Sequence, residues 1–102
     1  MKTVQTKKDV SNILLSHRQE IEKFGVKRIG LFGSFTKGRQ NKKSDVDLLV
    51  EFIRGKKSFK NFIYLAFFLE DLLQRKVELV TPESLSPYLK PNILKEIEYV
   101  LQ

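Results

Sequence analysis

Apolar residues recur through the first quarter of the chain at helical spacing. Val10, Ile13, Leu14, His17, Ile21 and Phe24 fall at i, i+3, i+4, i+7, i+11 and i+14, one face of a 3.6-residue period, which predicts a helix over residues 7–24. Gly25 supplies its C-terminal stop. The pattern then changes. KRIGLFG, residues 27–33, reads as a short buried strand ending at Gly33, and SFTKG, residues 34–38, as one helical turn. The polar, basic run RQNKKS, residues 39–44, reads as loop. DVDLLVEFI, residues 45–53, predicts a second strand; its later part is nearly continuous apolar, so both faces are expected to be covered.

After the basic turn RGKKS, residues 54–58, a long helix is predicted over residues 59–75. Phe59, Phe62, Ile63, Ala66, Leu69 and Leu73 define its stripe, while Leu65, Phe67, Phe68 and Leu72 lie outside it. A helix apolar around most of its girth is either buried or covered by a partner. These four residues are therefore candidates for a docking surface for a helical partner; ordinary packing against the terminal helices is the alternative. KVELVT, residues 76–81, reads as a third strand. Pro82, Pro87 and Pro91 punctuate the stretch after it, and Pro91 suits the first turn of a last helix carrying Ile93, Leu94, Ile97, Val100 and Leu101 on one face. The order α-β-(short α)-β-α-β-α predicts an α+β fold, a small mixed sheet flanked by helices, in one domain over residues 1–102 with a mobile N-terminal tip.

Composition narrows the function classes. Leu, Ile, Val and Phe make up more than a third of the 102 residues, well above the roughly 20% typical of disordered chains. A domain this small has no room for a second core, and a partner is a reasonable source of extra stability. The net charge of +7 points to polyanions such as nucleic acid, nucleotides or acidic protein surfaces. Having no cysteine excludes disulfide frameworks and thiolate chemistry, and one histidine excludes multi-histidine zinc sites. No apolar run approaches the ~20 residues needed to span a bilayer, and MKTVQTKKDV lacks the apolar core of a signal peptide, so a cytoplasmic location is expected.

The candidate chemistry lies in three short segments. Gly33-Ser34 closes the first strand where a helical turn begins; a glycine lets backbone approach a ligand closely, and free N–H groups there favour an anion. Asp45 and Asp47 are two residues apart at the start of a strand, so their carboxylates share a face and repel unless a cation sits between them. Glu78 is the carboxylate of the third strand and joins them if that strand pairs beside the second; otherwise it reads as an edge-strand charge that blocks aggregation. Three carboxylates beside a phosphate cradle suit metal-assisted phosphoryl transfer. Glu51 shares the parity of Asp45 and Asp47 but reads as solvent-facing or paired with a lysine, and His17 reads as partly buried and hydrogen-bonded rather than catalytic.

GLFGSFTKGRQNKKSDVDLLVEF, residues 30–52, with ten residues between Ser34 and Asp45, resembles the minimal nucleotidyltransferase (MNT) family within the DNA polymerase beta-type superfamily. KVELVTPESL, residues 76–85, is similar to its third-carboxylate strand, and the resemblance runs over roughly residues 7–101. The resemblance implies a polymerase beta-like core and an antitoxin that uses ATP and Mg2+ to transfer AMP to a tyrosine of a HEPN-domain toxin, with which it assembles; homo- or hetero-oligomers fit this picture. It further implies that Gly33 and Ser34 hold the triphosphate, that Asp45 and Asp47 bind magnesium, and that Glu78 completes the metal site and helps deprotonate the acceptor. Two positions depart from the pattern. The third carboxylate is most often Asp in the family, and a misplacement of about 1 Å can cost on the order of 100-fold in rate. The loop after Gly-Ser carries Lys37, Arg39, Lys42 and Lys43, which would strengthen triphosphate binding, through Lys37 and Lys43 above all, or face RNA. The alternative function is a catalytically degenerate MNT domain that neutralises its partner by binding alone. Direct nucleic-acid binding is not favoured, because no basic-plus-aromatic stacking motif is present.

Overall fold

The computed structural model describes residues 4–102; the tip expected to be mobile lies, over residues 1–3, outside the described residues. The chain runs α1 (Lys7–Ser16), α2 (Arg18–Glu22), β1 (Val26–Phe32), α3 (Ser34–Lys37), β2 (Val46–Phe52), α4 (Phe59–Leu73), β3 (Val77–Val80), a 3-10 turn (Pro82–Ser84), α5 (Lys90–Glu96) and β4 (Glu98–Leu101). The strands form one sheet in the order β3-β2-β1-β4. β1 is antiparallel to both neighbours, while β2 and β3 are parallel and joined through α4. This is the expected α+β architecture, with one strand more than the sequence pattern predicts.

Strand residues alternate between faces, and here the two faces differ in chemistry. Ile29 and Leu31 of β1, Val46, Leu48 and Val50 of β2, Val77 of β3 and Leu101 of β4 meet Val10, Leu14, Ile21, Leu65, Leu69 and Leu73 of α1, α2 and α4 in one buried cluster. Each such side chain contributes roughly 1.5–3 kcal/mol by leaving water, so packing rather than helix propensity holds these helices. The opposite face carries Gly30 and Phe32, Asp47, Leu49 and Glu51, and Glu78, paired across the strands. Helices α1, α2 and α4 cover one side of the sheet; on the other, Phe32 and Leu49 are also buried and Ile97 packs against Gly30, and the charged residues singled out by the sequence fall on this second side.

Three expectations are corrected. The first helix is two, broken at His17 (φ −113°, ψ 23°). Ser16 Oγ donates to Asn12 O at 2.8 Å and His17 Nδ1 lies 3.0 Å from Ile13 O; such side-chain bonds to carbonyls compete with helical ones. His17 is accordingly half-buried and hydrogen-bonded, as expected. The last helix stops at Glu96, and residues 98–101 form β4 instead. Val100 and Leu101 continue the helical stripe of Ile93, Leu94 and Ile97, but the free edge of β1 offers hydrogen bonds that draw the segment into a strand, with a register shift that sets Ile97 and Tyr99 at Gly30 and Leu101 in the buried cluster. Gly30 has no side chain because Ile97 fills that space: a Cβ there would overlap the isoleucine. Finally, Leu65 and Leu72 are buried and belong to the packing of α4, not to a docking face. Phe68 packs on Phe24 with ring centroids 5.4 Å apart, leaving Phe67 as the exposed one of the four. No helix among the described residues is long and apolar enough to cross a membrane.

The start of α1 is closed by a reciprocal cap. Thr6 Oγ1 accepts from the Asp9 N–H at 3.1 Å, and Asp9 Oδ2 accepts from the N–H groups of Gln5 and Thr6 at 3.0 and 3.2 Å. Thr6→Ala is expected to cost about 1 kcal/mol in urea unfolding. The backbone N–H of Gln5, with help from Thr6, holds the Asp9 carboxyl below its ordinary value of 3.8. A depressed carboxylate adds stability above that value and loses it as pH falls through the folded pKa. The gap between wild type and Asp9→Ala should therefore be open at pH 7 and close as pH falls below 3.8; an unchanged gap would contradict the cap.

Candidate active site

The site begins with a backbone that has to be glycine. Gly33 follows β1 with φ 77° and ψ −148°, a conformation that side chains resist. Its missing side chain has a second use: a Cβ at this position would overlap the Asp47 carboxylate. The register explains why. Phe32 pairs with Asp47 across β1 and β2, and Asp47 pairs with Glu78 across β2 and β3. One row across the sheet therefore ends in two neighbouring carboxylates, with Gly33 immediately beyond.

Asp47 is half-buried and Glu78 exposed. Burial, followed by the charge of Glu78 and a hydrogen bond with it, and then the charges of Asp45 and Glu96, pushes the Asp47 carboxyl up to about 6. Asp45 stands just ahead of β2, half-buried, close enough to repel Asp47. Its loop is clamped from behind by Arg75, whose Nη1 donates to the carbonyls of Asn41 and Ser44 at 2.8 Å each and whose Nε donates to Val4 O at 2.7 Å. The guanidinium also lies over the buried Phe35 ring, 5.1 Å from its centroid. Among the described residues no three acidic or histidine side chains close into a set that could hold a metal ion by themselves. The carboxylates nevertheless suit magnesium, which binds hard oxygens and is commonly held by one or two carboxylates plus substrate phosphates. The unrelieved repulsion around Asp47 is what a cation there would remove.

The predicted phosphate-binding residues divide. Gly33 and Lys37 face a common point, since both contact the same carboxylate: Glu96 Oε1 accepts from the Gly33 N–H at 3.3 Å, and Glu96 Oε2 lies 3.1 Å from Lys37 Nζ. Ser34 is the first residue of α3, half-buried beside them. Lys43 is exposed in the loop, its own N–H donating to Asn41 Oδ1 at 2.8 Å, and no hydrogen bond or ion pair among the described residues ties its side chain to Gly33 or the carboxylates. Glu51 pairs with Arg28 at 2.6 Å, an arginine where a lysine was expected. Glu96 is the residue that sequence reasoning missed. It escaped because the last segment reads as continuous helix; the register shift in β4, with Tyr99 at Gly30 and Leu101 in the buried cluster, leaves no clean alternation to mark the strand that brings Glu96 to Gly33.

An acidic pair in register beside a glycine turn suits nucleotidyl transfer, and comparison with known proteins agrees. Residues 12–100 match the nucleotidyltransferase domain family. The protein adenylyltransferase MntA of Thermococcus cleftensis is 41% identical over 96 residues, covering 93% of this chain and 96% of that one. A solved structure assigned to the minimal nucleotidyltransferases superposes with a TM-score of 0.71 at 30% identity, over 86% of this chain and 93% of the other. A chain from the complex of a tri-AMPylated Shewanella oneidensis HEPN toxin with its MNT antitoxin shares the fold, with a TM-score of 0.63 at 21% identity over 89% of this chain and 68% of that one. The chain belongs to the nucleotidyltransferase domain family. Within it, the protein is an enzyme of the minimal, MNT type.

A carboxylate whose folded pKa lies above its unfolded 3.8 lowers stability as pH rises past that value, and the cost is complete above about pH 6. Asp47→Asn should therefore raise the thermal midpoint at pH 7.5 without divalent cations. The expected gain is on the order of 1 kcal/mol once solvent screening is allowed for, or about 4–8 °C. The gain should shrink toward pH 4. A midpoint that does not move at pH 7.5 would contradict the crowding of the carboxylates. Gly33→Ala should do the reverse and lower the midpoint, by strain and by collision with Asp47.

Proposed function

We propose that this enzyme transfers AMP from ATP, with Mg2+, to a tyrosine hydroxyl of a HEPN-domain toxin and so acts as its antitoxin. The observation that carries the proposal is the in-register Asp47–Glu78 pair standing beside the side-chain-free N–H of Gly33. It is supported by the 41% identity to a protein adenylyltransferase, and by a toxin–antitoxin complex of the same fold whose toxin carries AMP.

Asp47 and Glu78, with Asp45 next to them, would hold magnesium, whose bound charge neutralises phosphate oxygens. The protein's own contribution is mainly positioning and preorganised electrostatics. The Gly33 N–H and Lys37 ammonium receive the phosphates, and Ser34 lies beside them to add its hydroxyl. The acceptor oxygen attacks the α-phosphorus, forming the new P–O bond. The bond from that phosphorus to the bridging oxygen of the β-phosphate breaks, and pyrophosphate leaves with the electron pair. The phenolic proton passes to Glu78, the more exposed of the two carboxylates and the one an incoming protein side chain reaches. Lys43, on its exposed loop, is positioned to meet the nucleotide only if the loop folds inward, and it is the weakest member of the set.

The test is intact mass spectrometry of the HEPN partner after incubation with the wild-type chain, ATP and magnesium. The partner should gain AMP-sized increments. Asp47→Asn should slow the gain by at least about 100-fold while remaining folded. If the partner binds tightly but its mass never changes, the protein neutralises by masking alone, and the transfer reading fails.

A further inference from the structure

The two donors assigned to the nucleotide are already engaged. Glu96 presents one carboxylate oxygen to the Gly33 N–H at 3.3 Å and the other to Lys37 Nζ at 3.1 Å. Nothing about this arrangement is accidental to the fold. Glu96 is the last residue of α5; Ile97 then takes an extended conformation and leads into β4, which pairs antiparallel with β1, so the register itself carries Glu96 to the end of β1. Its side chain is about three-quarters covered, whereas that of Lys37 is half exposed. Its surroundings are otherwise hostile to a negative charge, since Glu96 adds to the repulsion around Asp47. What holds the carboxylate there is the pair of donors that a phosphate would use.

We propose that Glu96 is an internal occupant of the phosphate cradle, an affinity-setting residue that an incoming phosphate must displace from Gly33 and Lys37. The inference rests on the assignment of these two groups to the nucleotide. Displacement exchanges one carboxylate for a phosphate with more oxygens and more charge. The same contact keeps Lys37 in place and shields Gly33 when no nucleotide is bound. Glu96 is thus a positioning residue for the empty site and a competitor for the filled one. The price of that order is weaker nucleotide binding.

The test is calorimetric titration of the full chain with ATP plus magnesium, and separately with inorganic pyrophosphate. Glu96→Gln keeps the size of the side chain and removes the competing charge. Its dissociation constants for both probes should fall by about three- to fivefold, the scale of one exposed ion pair. In a Lys37→Ala background the same substitution should gain less, because part of the competition is for Lys37. A residue that merely fastens α5, or that helps to hold the metal, would leave binding unchanged or weaken it in Glu96→Gln; either result overturns the proposal. If ATP binds the wild type and the variant equally, Glu96 is no competitor, while the nucleotide assignment survives. If neither protein binds either probe, the nucleotide assignment fails and the proposal with it.

Discussion

Two carboxylates on adjacent strands, held in register by backbone hydrogen bonds, are the constraint on which the rest of this molecule depends. Neighbouring strands lie about 4.8 Å apart, so Asp47 and Glu78 cannot separate without breaking the β2–β3 pairing. The energy that keeps them together comes from elsewhere. Val46 and Leu48 flank Asp47 on the same strand and point into the buried cluster, where α1, α2 and α4 pack. The face packed against these helices anchors the strand, and the anchored strand holds a local conflict on its other face. Native proteins concentrate such conflicts at functional sites, and the conflict here is electrostatic rather than steric.

The steric side of the site derives from the electrostatic one. Asp47 takes the space where a side chain on residue 33 would stand, so the glycine serves the carboxylate as well as the turn. Around this acidic centre the chain is strongly basic, with 19 Lys and Arg against 12 Asp and Glu. That excess suits the proposed nucleotide substrate, a polyanion that must approach negative carboxylates. It raises the local concentration of phosphate without placing a cation between the carboxylates.

Much of this was legible in the sequence because it depends on short-range pattern. Asp45 and Asp47 lie two apart at a strand start, and Gly33-Ser34 lies at a strand end; both facts come from alternation and punctuation alone. The helix break at His17 was not legible, because the apolar stripe runs through it without a gap and only the serine and histidine bonds to carbonyls interrupt it. The apolar girth of α4 suggests a wider docking face than the fold leaves: Leu65 and Leu72 look surplus on a helical wheel but are buried, Leu65 in the core cluster, and Phe67 alone of the four stays exposed. The largest miss was β4. Its pairing carries a register shift that hides the strand period, and what selects the strand is the free edge of β1, a property of the assembled sheet. Glu96 was lost with it, since a residue's place at a site 63 positions away is set by that pairing and by nothing local.

The two partners of β1 differ in how much chain must be closed to form them. β2 returns after one short helix and a loop, whereas β4 arrives only after β2, α4, β3 and α5 have been laid down. Pairings of long sequence separation are the slower to form, and short edge strands are the first to open. A transient fraying of β4 therefore leaves the core cluster largely intact while withdrawing the end of α5 from Gly33. Access to the turn is in this way coupled to the breathing of one edge of the sheet, and amide exchange along residues 98–101 becomes a clock for how often that edge lifts.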